Sequence, residues 1–151
     1  MELDSHADGA VFGMNCRVIN DKGTRVSVDG FDPVHMQVNG IPIVMVAVAY
    51  DCPTTGHTFI LFFHQSLHVP TMTKHLISPF QLRNYGIKIN ETPLMHLNRD
   101  QRTPEMHSIL VDDPLLHIPL TFERTMMSGF TKRMPTDEEI QDYDQNFILT
   151  A

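Results

Sequence analysis

The chain is poor in cysteine, with only Cys16 and Cys52 among its 151 residues. Two cysteines cannot build the framework of several disulfides that holds small secreted domains together, and they cannot furnish a four-cysteine zinc site within one chain. A reduced, cytoplasmic setting is therefore expected. We expect Cys16, in an apolar segment, to be an inert core thiol. Cys52 stands in a loop sequence before Pro53, and we expect it to be more exposed.

Long apolar runs and an excess of basic residues are also missing. The longest apolar run covers residues 41–50 and contains Pro42, whereas a membrane-spanning helix needs about 20 apolar residues. There are 11 Lys and Arg residues against 18 Asp and Glu residues, which gives a net charge of −7. Binding to nucleic acid requires a basic face. We therefore expect neither a membrane nor a nucleic acid as partner.

The composition is that of a folded domain, with 42% hydrophobic and 19% charged residues. A chain of this length can bury a core without disulfides or metals. The negative charge is concentrated near the C-terminus, where residues 137–144 hold five of the 18 acidic side chains. We expect residues 1–122 to form one domain and residues 123–151 to form an acidic C-terminal extension or linker.

Strand-like segments alternate with turn sequences in the first half of the chain. Asn20-Asp21-Lys22-Gly23 predicts a turn before an alternating segment at residues 24–28. Residues 41–50 have the nearly continuous apolar character of a strand that is buried on both faces. Residues 58–64 resume a strand pattern after the loop sequence at residues 51–56. The two runs predict a β-hairpin.

One short helix is predicted in the middle of the chain, where apolar residues between 74 and 85 recur at helical spacing. Pro79 is tolerated only in the first turn, and Gly86 suits the C-terminal cap. Residues 108–111 and 116–122 predict late strands, and an acidic helix start is expected near Asp137. Many short strands with one short helix predict a mainly β, barrel-like fold.

The segment Leu3-Asp4-Ser5-His6-Ala7, followed by apolar residues 10–12, has the pattern of an aspartic-protease active-site loop. In such enzymes two carboxylates meet and share one proton, because two like charges that close cannot both ionise. One carboxylate then acts as general base on a water and the other acts as general acid. The neighbouring hydroxyl can brace the loop by hydrogen bonding. Asp4 and Ser5 are therefore the candidate catalytic residues.

A second motif lies about 70 residues further on. Leu67-His68-Val69-Pro70 is followed by residues 75–89, HLISPFQLRNYGIKI. This order closely resembles the end of copia-type retrotransposon proteases, which typically carry VLYVP, then NLLSVSQL, then GY. The opening LDSHAD is similar to the active-site box of one branch of these elements. The late IPL and KRMPTDEE stretches resemble the segment on the C-terminal side of the protease in that branch, so the resemblance covers almost the whole chain.

The resemblance implies a retropepsin-like closed β-barrel that works as a homodimer and cleaves a polyprotein, without a cofactor. Each chain would contribute Asp4, with Ser5 as the bracing hydroxyl. His6 stands where the family usually has glycine, and Ala7 matches the small residue of the loop. Residues 29–33 would correspond to the flap over the substrate, so Ala7, Asp29, Gly30 and Phe31 are the implied substrate-binding residues. Leu76-Ile77-Ser78 would correspond to the strand that supports the loop.

Two other interpretations remain open. The same fold could act without catalysis, as a dimerising or peptide-binding module. Alternatively, the chain could hold a metal, because Asp4, His6 and Asp8 alternate and would share one face of a strand. His64 and His68, four residues apart, could add imidazole ligands.

Overall fold

The computed structural model describes residues 1–29, 37–122, 127–142 and 146–151. Within these residues the chain is mainly β, as predicted. The strands are β1 (Glu2–Leu3), β2 (Val11–Phe12), β3 (Arg17–Val28), β4 (Val38–Asp51), β5 (Thr58–His68), β6 (Leu76–Ile77), β7 (Lys88–Asn90), β8 (Ser108–Val111), β9 (Leu116–Pro119), β10 (Thr121–Phe122), β11 (Ser128–Gly129) and β12 (Asn146–Thr150). The helices are α1 (Pro79–Asn84) and α2 (Asp137–Gln141), with short 3₁₀ helices at Leu94–His96 and Arg99–Gln101.

The strands form two sheets. The larger sheet has the order β10-β11-β1-β6-β2-β5-β4-β3, with β12 also paired to β5, and the smaller sheet has the order β7-β8-β9. The described strands do not close into a barrel, because β3 and β10 end the order of the larger sheet without pairing to each other. The mainly β class is therefore confirmed, whereas the expected closed barrel is not found in the described part of the chain.

The predicted hairpin is confirmed by the antiparallel pair β4 and β5, which runs from Ile43 opposite Leu67 to Asp51 opposite Thr58. The side chains of β4 alternate between two apolar clusters. Val44, Val46 and Val48 belong to the larger cluster, and Ala47 and Ala49 belong to the smaller one, on the opposite face of the strand. Because both faces of β4 are covered, residues 41–50 form the nearly continuous apolar run seen in the sequence.

The turn predicted at residues 20–23 is wrong. β3 continues through this segment, and its pairing with β4 shifts in register between Asp21 and Arg25. Gly23 has φ +77°, and its amide donates a hydrogen bond of 2.8 Å to Asp21 Oδ1. Residues that favour a turn therefore produce a bulge within a continuous strand.

Helix α1 begins and ends where the sequence predicts. Ser78 is the N-cap, and its hydroxyl accepts a hydrogen bond of 3.2 Å from the Gln81 amide. Pro79 occupies the first turn, and Gly86 follows the helix with φ +91°, a conformation that glycine adopts at little cost. None of the helices in the described residues is long and apolar enough to cross a membrane.

Two strands after residue 122 belong to the larger sheet. β11 pairs with β1 through Gly129 opposite Glu2. β12 runs parallel to β5 and buries Phe147 and Leu149. The segment expected to be an extension or linker therefore contributes to the main body of the fold, because these apolar residues find partners far away in sequence.

Candidate functional site

The Asp4 loop connects β1 to β2, and both strands pair with β6 between them. β1 lies parallel to β6, with Leu3 opposite Ile77, and β2 lies antiparallel to it, with Val11 opposite Leu76. The Asp4 amide donates a hydrogen bond of 2.9 Å to the Ile77 carbonyl. The predicted support of the loop by Leu76 and Ile77 is therefore present, since a single strand fixes the position of both ends.

Within the loop, Asp4 folds the backbone back on itself. Its Oδ1 atom accepts a hydrogen bond of 2.9 Å from the His6 amide, and its carbonyl accepts one of 3.2 Å from the Ala7 amide. The Asp4 side chain is 27% exposed and the His6 side chain is 95% exposed. His6 is not among the described residues with positive φ. The loop backbone therefore accommodates the histidine, with its ring in solvent.

Ser5 is exposed in the turn beside Asp4. Its Oγ atom lies 3.4 Å from His6 Nδ1, and the same imidazole nitrogen lies 3.9 Å from Asp4 Oδ1. The three side chains therefore form one exposed polar group at the tip of the loop. The bracing role expected for Ser5, which requires a second chain, stays a prediction.

Two cavities flank the loop. One, of about 470 Å³, is lined by Asp4 and Ser5 together with Glu91 and Ser128. The other, of about 410 Å³, lies between the second half of the loop and β3, and its lining includes Ala7 and Asp29. His6 borders both cavities.

The structure therefore brings together four of the six predicted site residues, in two neighbouring cavities that share His6 as a wall. Asp4 and Ser5 border the first cavity, and Ala7 and Asp29 border the second. Gly30 and Phe31, the other residues predicted to bind substrate, lie outside the described residues.

The second cavity has a mixed lining of aliphatic and polar side chains. Its aliphatic side chains come from three strands: Val11 of β2, Val26 and Val28 of β3, and Leu67 of β5. Asp8 and Asp29 also border it.

The backbone at Gly13, on the C-terminal side of the loop and β2, passes very close to the backbone at Met72. This contact was not predicted from the sequence. A Cβ atom on Gly13 would lie 2.1 Å from the Met72 carbonyl oxygen, so only glycine fits there. The Met14 amide donates a hydrogen bond of 2.8 Å to the same carbonyl. Glycine inside an apolar, strand-like segment is the one feature of the sequence that could have indicated this close approach.

Next to this contact lies His75, which is 4% exposed. Its Nδ1 atom accepts a hydrogen bond of 3.2 Å from the Gly13 amide, and its carbonyl accepts one of 2.9 Å from the Glu2 amide. Burial, assisted by the charge of Lys132, lowers the pKa of His75 to about 4. The neutral imidazole of His75 therefore binds one end of the segment that carries Asp4, and the backbone carbonyl of His75 binds the other end.

Gln81 of α1 is a second support that sequence analysis missed. Its Oε1 atom accepts a hydrogen bond of 2.9 Å from the Ala10 amide. Its Nε2 atom donates hydrogen bonds to the carbonyls of His64 and Gln65, at 3.3 and 3.4 Å. One side chain thus connects the end of the loop, the helix and β5.

The described residues contain no cluster of three or more histidine, cysteine or acidic side chains placed to hold a metal ion. Asp4, His6 and Asp8 would share a face only on an extended strand, and the backbone turns and bends through this loop. On β5, Gln65 has φ +50° where the pairing with β4 shifts in register, so the regular alternation of side chains is broken between His64 and His68. Burial lowers the pKa of both histidines. The arrangement expected for a metal site is therefore not formed by these residues.

Comparison of the chain with protein-family models, with curated proteins and with solved structures finds no match.

Proposed function

We propose that this protein is an aspartic endopeptidase of the retroviral type, which works as a homodimer and cleaves a retrotransposon polyprotein. The observation that carries the proposal is the position of Asp4. It lies in a turn whose two flanking strands are both hydrogen-bonded to β6, and its own amide is fixed on Ile77. This arrangement supports the match between the Asp4 motif and the second motif at residues 67–89, because it joins them in space.

In the proposed mechanism, Asp4 of each chain approaches its counterpart across the dimer axis. The pair shares one proton. The ionised carboxylate accepts a proton from a water, which then attacks the carbonyl carbon of the peptide bond, and the protonated carboxyl donates its proton during the reaction. The Asp4 side chain is 27% exposed, so water can reach its carboxylate.

The cavity beside β3 is the proposed place for the substrate. An extended peptide in this position would lie against Val26 and Val28 of β3 and reach Asp4 past Ala7. Its side chains would contact the aliphatic part of the lining. The aliphatic character of Val11 and Leu67 favours substrates with apolar residues beside the cleaved bond.

One observation favours a second candidate, a peptide-binding module without catalysis. The outer edge of β1 is already occupied by β11 of the same chain, and the Met1 ammonium donates a hydrogen bond of 3.1 Å to the Phe130 carbonyl. In a retropepsin the chain ends help to build the dimer interface. If β11 keeps this place, a second chain has no access to that edge of β1.

The test compares the purified wild-type protein with Asp4→Asn on a library of peptides with apolar residues, with cleavage followed by mass spectrometry. We expect the substitution to abolish cleavage, because the dyad then lacks a carboxylate in each chain. Asp100→Asn, a change to an exposed acidic residue in the 3₁₀ helix Arg99–Gln101, is the control and should retain full activity. Cleavage that survives in Asp4→Asn would exclude the mechanism.

Mixing the two proteins tests the homodimer. When equal amounts of wild type and Asp4→Asn exchange subunits, about one quarter of the dimers carry two intact chains, so activity per total protein falls to about one quarter. If each chain had a complete site of its own, one half of the activity per total protein would remain. Absence of any cleavage, together with peptide binding that weakens in Val26→Asp, would instead favour the second candidate.

A further inference from the structure

The two cysteines of the chain are both buried, since Cys16 is 9% exposed and Cys52 is 7% exposed. The expectation that Cys52 is the more exposed one is therefore wrong. Their Sγ atoms are hydrogen-bonded to the Gly13 carbonyl and to Thr54 Oγ1, and neither has a hydrogen bond to a histidine within the described residues. The thiols therefore lack the neighbouring base that activates a nucleophile.

Two of the described serines, in contrast, lie beside an imidazole. Ser5 Oγ lies 3.4 Å from His6 Nδ1, and that imidazole is 95% exposed. Ser128 Oγ lies 2.7 Å from His107 Nε2, and His107 is only 6% exposed. The second distance is that of a good hydrogen bond, which is also the distance between a hydroxyl nucleophile and its general base. Ser128 and His107 therefore have the arrangement of a nucleophile and a base.

The fold holds the His107 ring in place. His107 directly precedes β8, and its carbonyl accepts a hydrogen bond of 2.8 Å from the Leu120 amide. Its ring packs against the ring of Phe122, with 5.3 Å between the ring centroids. Phe122 of β10 is the residue opposite Ser128 of β11. The pairing of β10 with β11 thus places the nucleophile beside the base.

The backbone and the ionisation of His107 also suit a reactive role. Its φ of +51° lies in the left-handed region, which residues other than glycine and asparagine rarely adopt. Strained conformations of this kind are concentrated at active sites. Burial lowers the pKa of His107, so the ring is neutral at neutral pH and is able to take up a proton.

Ser128 borders the cavity of about 470 Å³ beside the Asp4 loop. Leu3 and Met127 contribute apolar lining. Two acidic residues, Asp4 and Glu91, also line the cavity, and no lysine or arginine among the described residues does so. The cavity therefore suits a small molecule that carries no negative charge.

We propose that Ser128 and His107 form a reactive site, distinct from the Asp4 dyad, that hydrolyses small carboxylic esters without negative charge. The Ser128 hydroxyl donates its hydrogen bond to Nε2 of the neutral imidazole. Oγ attacks the carbonyl carbon of the ester, and its proton moves to Nε2. The bond between the carbonyl carbon and the alcohol oxygen then breaks, this oxygen takes the proton from Nε2, and the acyl group remains on Ser128.

Water completes the reaction. A water molecule gives a proton to His107 Nε2 and attacks the acyl carbonyl carbon. The bond to Ser128 Oγ breaks and Oγ takes the proton back, so a carboxylic acid is released and both side chains are restored. Because the two residues belong to one chain, this activity requires neither a dimer nor the Asp4 carboxylate, and it is independent of the proposed peptidase.

The experiment incubates the purified protein with p-nitrophenyl acetate at pH 7.5, follows the release of p-nitrophenolate, and locates the acetyl group by mass spectrometry of the peptides. Ser128→Ala should abolish both the Ser128 adduct and the release that depends on it. His107→Asn should slow the reaction about 100-fold, because asparagine tolerates positive φ but its amide cannot take up a proton. Ser27→Ala, at an exposed position of β3, is the control and should match the wild type.

The pH dependence distinguishes a base from a hydrogen bond that only stabilises the fold. Since burial keeps the pKa of His107 below 6.5, more than half of the rate at pH 7.5 should remain at pH 6.5, and the rate should fall below that pH. A rate that instead rises in proportion to hydroxide through this range would overturn the role of His107.

Two further outcomes would contradict the proposal. Release of p-nitrophenolate that is equal in the wild type and Ser128→Ala, or undiminished in His107→Asn, would overturn the site itself. The mono-p-nitrophenyl ester of glutaric acid, which carries a negative charge, should react severalfold more slowly than the acetate because Asp4 and Glu91 line the cavity. Equal rates with the two esters would overturn the assigned class of substrate.

Discussion

His75 is a buried base that the fold holds in its neutral form. Its Nδ1 atom accepts the hydrogen bond from the Gly13 amide, so a proton on this nitrogen would remove an acceptor in a place where water cannot replace it. Burial and the charge of Lys132 lower its pKa from 6.5 to about 4. We therefore expect the stability of the protein to depend on the ionisation of this residue.

The sign of this pH dependence follows from the difference in the pKa of His75 between the folded and the unfolded chain. Above pH 6.5 His75 is neutral in both states and contributes no pH dependence. Between pH 6.5 and about 4 the unfolded chain binds a proton that the folded chain does not, so the free energy of unfolding decreases as the pH falls. Below about pH 4 both states are protonated and the loss is complete. A pKa difference of this size corresponds to about 3 kcal/mol.

The assay is urea denaturation of the wild type and of His75→Asn at several pH values from 4 to 7.5. Asparagine keeps an acceptor for the Gly13 amide and does not titrate. The wild type should therefore lose about 3 kcal/mol relative to the variant between pH 7 and pH 4. His96→Asn, at an exposed position, is the control and should follow the wild type. A difference between wild type and His75→Asn that stays constant with pH would refute the reasoning.

Two further predictions concern the supports of the Asp4 loop. Gly13→Ala should lower the free energy of unfolding by about 3 kcal/mol in denaturant titrations, because its Cβ would overlap the Met72 carbonyl. Gly9→Ala is its control and should cost far less, since its Cβ would have no neighbour closer than 3.9 Å. Gln81→Leu should cost about 1–3 kcal/mol by leaving the Ala10 amide without its acceptor. It should also speed amide hydrogen exchange at Ala10, and unchanged exchange there would contradict the assigned contact.

Local patterns are enough to predict the elements that depend on near neighbours. The β4–β5 hairpin follows from two apolar runs and a short loop, and α1 follows from Ser78, Pro79 and Gly86 within a few residues. The prediction of a turn at residues 20–23 fails because aspartate and glycine favour a bulge as well as a turn. Only the pairing of β3 along β4 decides between the two, and that pairing is not local.

The candidate site also combines residues that a local pattern indicates with residues whose contacts are distant in sequence. Asp4 and Ser5 could be singled out because they are adjacent and belong to a short motif, and their catalytic role stays a prediction. The supports of the Asp4 loop could not be singled out, because Gln81 reaches Ala10 across 71 positions and His75 reaches Gly13 across 62. The alternation of Asp4, His6 and Asp8 suggests a common face only on the assumption of an extended chain, which the turn at the loop removes.

The order in which the chain leaves the ribosome also bears on β1, a strand of only two residues held between β6 and β11. A growing chain that has reached residue 85 already contains the Asp4 loop, the strand between its two ends and the helix that contacts it. It still lacks Gly129 and Phe130, which bind Glu2 and the Met1 ammonium. The residues of β1 thus receive their last neighbours only after another 40 or so residues have been added, about two to eight seconds later at ordinary rates of translation.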